Sequence, residues 1–183
     1  MIIDPGAQGK LLQRRIAKEQ LTPLAILLTH AHPDHLGALA FLKEQYQIPV
    51  YLHQADRELL ENAPTLGMLL GLGNIKIPPD ITFFDDSTKL QIGKFIIETI
   101  ATPGHTPGST CFRMANYLFS GDTLFQGSVG RVDLPGGSFA ELQESLRRLA
   151  HLPDEISIYP GHGPQTTLGV EKATNPYYSE LHL

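Results

Sequence analysis

Four apolar segments of the sequence run directly into short polar segments that contain histidine or aspartate. The pairs are LAILLT (24–29) before HAHPDH, KFIIETI (94–100) before ATPGHTPGS, YLF (117–119) before SGD, and ISIY (156–159) before PGHG. A short, continuous apolar run is typical of a strand that is covered on both faces, so each polar segment follows a predicted buried strand. The recurrence favours one metal site at the strand ends over four unrelated polar turns.

The segment HAHPDH carries the strongest of these signals. His30 and His32 are two residues apart in a stretch predicted to be extended, so their side chains point the same way. Asp34 and His35 follow where a helix is predicted to start, so all four side chains can converge. Packing four such groups together without a cation leaves mutual repulsion or unpaired donors, so this segment predicts a metal site.

The other three segments each place one candidate ligand beside glycine, namely His105, Asp122 and His162. Glycine lets the backbone approach a site closely. A single histidine beside a strand is more often hydrogen-bonded or exposed than a metal ligand. We therefore interpret the histidines that lack this setting as ordinary structural or surface residues: His53, His151 and His182.

The rest of the sequence alternates between strand and helix patterns. Helices are predicted at 34–46, near 54–62 and at 138–152, where Ser138 and Glu141 form a capping box. Further strands are predicted at 49–53 and, from residue 81 onward, in ITFF, TKLQI, KFIIETIA, TCFRMA and YLFS. Residues 63–80 mix apolar residues with glycine and proline and are predicted to form a loop. This pattern predicts an α/β layered domain (α+β in some schemes), and no repeat or linker divides residues 1–183.

Composition limits the class of protein. A chain of 183 residues with 42% hydrophobic content can form the core of one domain. The net charge of -5 provides no basic patch to hold a phosphate backbone, so nucleic acid is not an expected partner. Cys111 is the single cysteine, which fits a reducing compartment and leaves histidine and aspartate as metal ligands. The sequence contains neither a membrane-length apolar run nor a secretory-type start, so we expect a cytoplasmic protein without membrane contact.

These motifs resemble those of a known family. The order His30-x-His32-x-Asp34-His35, then His105, Asp122 and His162, is similar to the metal-binding pattern of the metallo-β-lactamase superfamily. Within that superfamily, GHTPGS, SGDTLFQGSVGRVDLPGG and YPGHGP resemble the short-form hydroxyacylglutathione hydrolases, which are glyoxalase II-like. The similarity extends from IDPG to TNPYY. It implies a four-layer αββα sandwich with the metals at one edge, between the two sheets.

The resemblance also implies a role for each ligand. His30, His32 and His105 would hold one divalent ion and Asp34, His35 and His162 a second, with Asp122 bridging the two. Imidazole and carboxylate ligands suit zinc, which we expect, and also iron or manganese. A water that bridges two such ions would have its pKa lowered toward about 7; Asp34 would orient this water and accept its proton, which leaves the attacking hydroxide.

Two residues outside the ligand set are also candidates. Arg131 occupies the position of a substrate-binding lysine in longer members, so it either contacts substrate or pairs with Asp133. Asp4, in the IDPG segment, is expected to orient the ligand loop through hydrogen bonds rather than to bind metal.

The sequence departs from the family pattern at both ends. Family members usually carry about two more strands before IDPG, so we expect a sheet that lacks its first two strands. Longer members have a C-terminal helical domain that helps to bind glutathione, whereas this chain ends soon after TNPYY, so we expect no such domain. Lactam-hydrolysing members generally have cysteine in place of Asp122, are exported and lack the GRVD segment, so lactamase activity is not expected.

The expected activity is hydrolysis of a thioester, S-D-lactoylglutathione or a related acyl-glutathione. A thiolate leaves without prior protonation because its conjugate acid has a pKa near 8.5, and the sequence shows no separate general acid. The alternative is a persulfide dioxygenase with one iron held by two histidines and one aspartate, against which the histidine of YPGHGP argues. A third possibility, a degenerate and poorly active fold, is disfavoured by the complete ligand set. The true substrate and the oligomeric state stay open.

Overall fold

The computed structural model describes residues 1–86, 88–179 and 181, and the chain forms two compact units, Met1–Asp85 and Asp86–Leu183. The first unit contains the strands β1 (Ile2–Ile3), β2 (Ile26–Leu27), β3 (Val50–His53) and β4 (Ile81–Phe84). These pair in the order β1-β2-β3-β4, and every pairing is parallel. The helices are α1 (Gly9–Lys18), α2 (Leu39–Tyr46) and α3 (Arg57–Leu69), with 3-10 turns at Pro33–His35 and Gln54–Asp56. The two 3-10 turns follow the carboxyl ends of the neighbouring strands β2 and β3.

The predicted strands of this unit are confirmed, although β2 is shorter than the apolar run that encodes it. Residues 25–28 have no exposed surface, which agrees with a strand between two neighbours and beneath helices. The helix predicted at residues 34–46 begins as a 3-10 turn and becomes α-helical only at Leu39. Residues 9–18, for which no element was predicted, form α1.

The loop predicted for residues 63–80 was wrong for residues 63–69, which continue helix α3. Pro64 lies inside the helix, where it removes one backbone donor. Leu60, Ala63 and Gly67 form a buried face at helical spacing, and the first two belong to the core of this unit. Burial of that face outweighs the local penalty of proline, which a reading of the sequence alone overestimates.

The second unit is built on a six-stranded sheet. Its strands are β5 (Leu90–Ile92), β6 (Phe95–Ala101), β7 (Thr110–Met114), β8 (Tyr117–Gly121), β11 (Ser157–Pro160) and β12 (Thr166–Thr167). A separate hairpin, which the sequence analysis missed, consists of β9 (Leu124–Phe125) and β10 (Ser128–Val129). The sheet order is β12-β11-β8-β7-β6-β5, with β11 and β8 parallel and the other neighbours antiparallel. The parallel pair places the ends of β8 and β11 at the same edge, directly before Asp122 and His162.

Three helices complete this unit: α4 (Phe139–Ala150), α5 (Leu168–Thr174) and α6 (Pro176–Ser179). Only half of the predicted capping box of α4 is confirmed: the Ser138 hydroxyl accepts a hydrogen bond from the Glu141 amide at 3.3 Å, whereas the Ser138 amide donates to the carbonyl of Gly104 at 2.8 Å. Leu142, Leu146 and Leu149, which lie at helical spacing along α4, are all fully buried. Among the described residues, no helix combines the length and the apolar content needed to cross a membrane. The single domain over residues 1–183 and the missing C-terminal domain stay predictions.

Candidate metal centre

The 3-10 turn after β2 gathers three of the predicted ligands of the first unit. His30, His32 and His35 are buried. The ring centroid of His30 lies 4.8 Å from that of His32 and 4.1 Å from that of His35. Asp34 is exposed, with one carboxylate oxygen 3.7 Å from Nε2 of His35. Two ligands bound to one zinc at the tetrahedral angle are about 3.4 Å apart, so this separation suits a shared ion.

Asp4 controls which ring nitrogens of this cluster carry a proton. Its Oδ1 accepts a hydrogen bond from the Thr29 amide at 2.8 Å, and its Oδ2 accepts one from the Thr29 hydroxyl at 2.6 Å. Oδ2 also lies 3.1 Å from Nδ1 of His35, and the Thr29 oxygen lies 3.0 Å from Nδ1 of His30. Because the hydroxyl proton is directed to Asp4, Nδ1–H of His30 donates to the Thr29 oxygen, and Nδ1–H of His35 donates to Asp4. Both histidines therefore present the lone pair of Nε2, the form that binds a metal.

The segment that follows β1, residues 4–6, packs closely against the backbone of residues 34–38. A Cβ atom added at Gly6 would lie 2.0 Å from the carbonyl oxygen of Asp34, and one at Gly37 would lie 2.1 Å from the carbonyl oxygen of Gly6. The amide of Ala38 donates to the carbonyl of Pro5 at 2.8 Å. No side chain fits at Gly6 or Gly37 without moving the backbone that carries Asp34. The expectation that Asp4 orients the ligand loop agrees with its hydrogen bonds to Thr29 and His35.

Asp56, which the sequence analysis missed, supports the same turn from the next strand. It is fully buried at the end of the 3-10 turn that follows β3, and its carboxylate accepts a hydrogen bond from the Ala31 amide at 2.9 Å. Ala31 lies between His30 and His32, so Asp56 fixes the backbone that separates these two residues. The available signal was positional: QAD follows the strand VYLH as HAHPD follows LAILLT, so two polar turns lie at neighbouring parallel strand ends.

The second unit brings together His105, Asp122 and His162. A single oxygen of Asp122, Oδ2, lies 3.6 Å from Nε2 of His105 and 3.6 Å from Nε2 of His162. His105 is buried, the Asp122 side chain is 11% exposed, and the His162 side chain is 55% exposed. One carboxylate oxygen near two imidazole nitrogens at equal distances is compatible with the predicted bridging role of Asp122, and the donor set suits metal ions.

The GRVD segment orients His105 through its backbone. Nδ1 of His105 lies 2.7 Å from the carbonyl oxygen of Arg131, so Nδ1–H donates to it and Nε2 is left as the ligand atom. A Cβ at Gly130 would lie 1.8 Å from the carbonyl oxygen of Asp122 and 3.2 Å from the His105 ring. The glycine therefore lets the chain close directly onto two predicted ligands.

The side chain of Arg131 forms the ion pair that was one of its two predicted roles. Its Nε and Nη2 each donate to one carboxylate oxygen of Asp133 at 2.7 Å. The carboxylate holds the pKa of Arg131 above its ordinary value, and the guanidinium lowers the pKa of Asp133 to about 2. Both side chains are more than half exposed, so they can also be reached by a ligand. A role for Arg131 in substrate binding stays a prediction.

The β9–β10 hairpin, which lies between Asp122 and Arg131 in the chain, is anchored from helix α5. Glu171 is fully buried, and its carboxylate accepts hydrogen bonds from the Gly127 amide at 2.8 Å and from the Asn175 amide group at 2.8 Å. Its other oxygen accepts one from the Thr166 hydroxyl at 2.6 Å. This network holds in place the turn of the β9–β10 hairpin, which connects Asp122 to Arg131 along the chain.

Cys111, His53 and His151 are not among the groups of predicted ligands described above. Cys111 is buried, and burial raises the pKa of its thiol to about 11, so it is not a thiolate nucleophile at neutral pH. His53 is buried and its Nδ1 accepts a hydrogen bond from the Ala55 amide at 3.3 Å, as expected for a structural histidine. His151 is exposed, and His182 lies outside the described residues.

Comparison with known proteins decides the family. Residues 1–162 match the model described as Metallo-beta-lactamase superfamily. The chain belongs to the metallo-beta-lactamase superfamily. Members similar to it include a Bacillus subtilis (strain 168) protein named "Probable metallo-hydrolase YqgX", 43% identical over 188 residues that cover 100% of this chain and 89% of the relative. Another is the Haemophilus influenzae (strain ATCC 51907 / DSM 11121 / KW20 / Rd) protein named "Hydroxyacylglutathione hydrolase GloC", 39% identical, covering 96% of this chain and 85% of the relative.

Solved structures confirm the metallo-beta-lactamase fold. BLEG-1, titled a B3 metallo-beta-lactamase, is 41% identical with a TM-score of 0.91, covering 97% of this chain and 87% of that one. TTHA1623 in a di-iron-bound form is 45% identical with a TM-score of 0.89, covering 96% and 87%. ETHE1 from Myxococcus xanthus is 29% identical with a TM-score of 0.74, covering 95% and 71%. The superfamily and the α/β class are thus shown, whereas the glyoxalase II-like subgroup stays a prediction.

Proposed function

We propose that this superfamily member is a metal-dependent hydrolase that cleaves thioesters, S-D-lactoylglutathione or related acyl-glutathiones. The observation that carries the proposal is the fixed protonation of the ligand histidines, because Nδ1–H of His30, His35 and His105 each has a built acceptor. All three imidazoles then present the Nε2 lone pair, the arrangement that metal-ligating histidines have. The similarity to GloC supports a thioester as the substrate.

The proposed ligand division follows the family resemblance. His30, His32 and His105 would hold one ion and Asp34, His35 and His162 the other, with Asp122 bridging. The ions would be zinc, with iron or manganese as alternatives, and TTHA1623, a relative with a di-iron-bound form, supports iron. Bound divalent ions would supply a water of lowered pKa and polarise the scissile carbonyl.

The protein's own groups supply orientation and proton transfer. Asp34 is the exposed carboxylate beside His35, and we assign to it the role of orienting the attacking water and accepting its proton. The thiolate leaves without an acid, so the reaction needs no further proton donor. The guanidinium of Arg131 keeps donors beyond the two bound to Asp133, and we assign it to the polar part of the substrate.

Two other activities have a relative in their favour. Persulfide dioxygenation with a single iron is supported by the likeness to ETHE1. Hydrolysis of β-lactams, which the sequence argued against, is supported by the likeness to BLEG-1. Neither accounts as simply for a complete set of seven ligand positions together with the similarity to GloC. A small-molecule substrate, a cytoplasmic location and the absence of a nucleic-acid partner stay predictions.

The proposal is tested by a substrate panel on the metal-loaded protein. Thiol release from S-D-lactoylglutathione should occur with two metal ions per chain. Asp34→Asn should lower kcat by about 100- to 10,000-fold, the usual contribution of a general base, whereas the exposed Asp80→Asn should change it less than twofold. Oxygen uptake on glutathione persulfide with one iron per chain, or turnover of a β-lactam without thiol release from any thioester, would overturn the proposal.

A further inference from the structure

An apolar segment, residues 67–72, consists of the last three residues of helix α3 and the three residues that follow it. The side chains of Met68, Leu69, Leu70 and Leu72 are 63%, 79%, 59% and 47% exposed. No charged residue occurs between positions 63 and 75. Single exposed leucines are common, but four large apolar side chains within five consecutive positions concentrate exposed apolar area at the C-terminal end of α3.

The apolar segment is ordered by its own backbone. The amide of Leu70 donates to the carbonyl of Leu66 at 2.9 Å, that of Gly71 to Met68 at 3.2 Å, and that of Leu72 to Gly67 at 2.8 Å. These bonds close the C-terminal end of α3, so the leucines are held in place by structure that does not need their burial.

The apolar segment begins beside the 3-10 turn Pro33–His35. A Cβ at Gly67 would lie 3.5 Å from Cβ of Pro33 and 2.6 Å from Cγ1 of Ile75, so α3 packs closely against the turn Pro33–His35. Pro33 directly precedes Asp34, the residue assigned to the attacking water. A molecule whose reacting group lies at Asp34 therefore has the apolar segment as a neighbouring surface within the same unit.

The size of the apolar segment decides its occupant. Four such side chains expose on the order of 400 Å² of apolar area, comparable to the largest patch on a typical monomer, which is often functional. A stable interface between two copies buries about 800 Å² on each partner, roughly twice this area. The area suits one hydrocarbon chain, and the lack of charge excludes recognition of the anionic glutathione portion.

We propose that residues 67–72 bind the hydrocarbon chain of an acyl thioester, so that the preferred substrates carry medium-length acyl groups. This inference rests on the proposed thioester hydrolysis and names its substrate class. Full burial of one methylene changes affinity about fourfold, and a chain lying on an open surface buries about half of its area, which leaves about twofold per methylene. Octanoyl-glutathione has six methylenes more than acetyl-glutathione, so its kcat/KM should be about 60-fold higher.

The test measures thiol release by the metal-loaded full chain from acetyl-, butanoyl-, hexanoyl- and octanoyl-glutathione. The expected result is a steady rise in kcat/KM with chain length. The double variant Leu69→Ser, Leu70→Ser should reduce the octanoyl-to-acetyl ratio at least tenfold. Leu21→Ser, which changes a leucine that is 57% exposed in the same unit, should leave the ratio unchanged. A ratio within one protein does not depend on the fraction that is active, so partial misfolding cannot imitate the effect.

Failure of the inference and failure of the proposed function give different results. Thiol release with a ratio near one would overturn the acyl-chain site and leave thioester hydrolysis standing. Absence of thiol release from every member would refute the hydrolase. In that case calorimetry on S-octylglutathione and S-methylglutathione decides the inference. A stronger affinity for the octyl compound, lost in the double variant, supports the acyl-chain site. Equal affinities for the two compounds overturn it. A concentration-dependent doubling of mass in light scattering, lost in the double variant, would assign the segment to self-association and also overturn it.

Discussion

Substitution of Asp4 by asparagine should prevent two unchanged residues, His30 and His35, from presenting Nε2 to a metal ion. Asp4 accepts three hydrogen bonds through two oxygens, two of them from Thr29 and one from His35. Asparagine has one oxygen, and if this stays opposite the Thr29 amide, the NH2 group faces the Thr29 hydroxyl and Nδ1 of His35. Thr29 must then accept from Asn and can donate to Nδ1 of His30, and His35 must also accept at Nδ1. Both histidines move their proton to Nε2, the atom that would bind the metal.

The expected loss follows from the number of ligands affected. Loss of one orienting partner lowers metal affinity about 10- to 100-fold, and Asp4 orients two ligands, so Asp4→Asn should weaken metal binding at least about 100-fold. Backbone strain does not add to this effect, because Asp4 has φ of +44°, a region that asparagine tolerates as well as aspartate. Competition with a chromophoric chelator measures the affinity, and ¹⁵N shifts of the histidine rings in the metal-free protein report the tautomers.

Asp80→Asn is the matched control, since it removes a carboxylate whose side chain is 85% exposed in the same unit. It should leave both measurements unchanged. The reasoning is refuted if Asp4→Asn keeps Nδ1–H on both histidines, or if its metal affinity lies within threefold of the parent.

Three further predictions address other parts of the chain. Burial raises the pKa of Cys111 from 9.0 to about 11, so the unfolded state loses the thiol proton first as the pH rises. The free energy of unfolding should therefore fall by about 2–3 kcal/mol between pH 9 and pH 11. Denaturant titrations should find this slope in the parent protein but not in Cys111→Ala. Gly130→Ala forces a Cβ to within 1.8 Å of the Asp122 carbonyl, so metal analysis should show fewer than two ions per chain; full occupancy would contradict the packing argument. Arg131→Ala keeps the backbone carbonyl that orients the ligand histidine, so KM for S-D-lactoylglutathione should rise more than kcat falls, and the exposed Arg147→Ala should change neither. An unchanged KM would leave the ion pair as the role of Arg131.

The grouping of the candidate ligands could be predicted from sequence because their chemistry is dense and local. HAHPDH places four metal-binding side chains within six residues, and the preceding apolar run indicates where the strand ends. The structure groups His30, His32 and His35 in one unit and three other predicted ligands in the second, as strand-end positions require. The metal ions and their division among these residues are still predictions.

The supporting residues could not be predicted because their role depends on contacts distant in sequence. Asp56 precedes RELLEN and has the pattern of an exposed acid at a helix start, yet it is buried by its hydrogen bond to an amide 25 residues upstream. Glu171 likewise has the pattern of a surface helix residue until Gly127, 44 positions away, is brought to it. Pro64 shows the reverse error, where a local helix-breaking signal is overruled by packing of the helix face.

The shortness of β1 has a consequence for the stability of the chain's first residues. Among the described residues, β1 pairs only with β2, through the two positions Ile2 and Ile3. Asp4, the next residue, supplies the further bonds to Thr29 and His35, so separation of β1 from β2 also releases these bonds. Any ion held by His30 or by His35 therefore favours the attached strand by mass action, and residues 2–4 should exchange their amide hydrogens and be cleaved by proteases faster as metal is withdrawn. Loss of metal would thus appear first as local unfolding of β1 and Asp4, before the core of either unit opens.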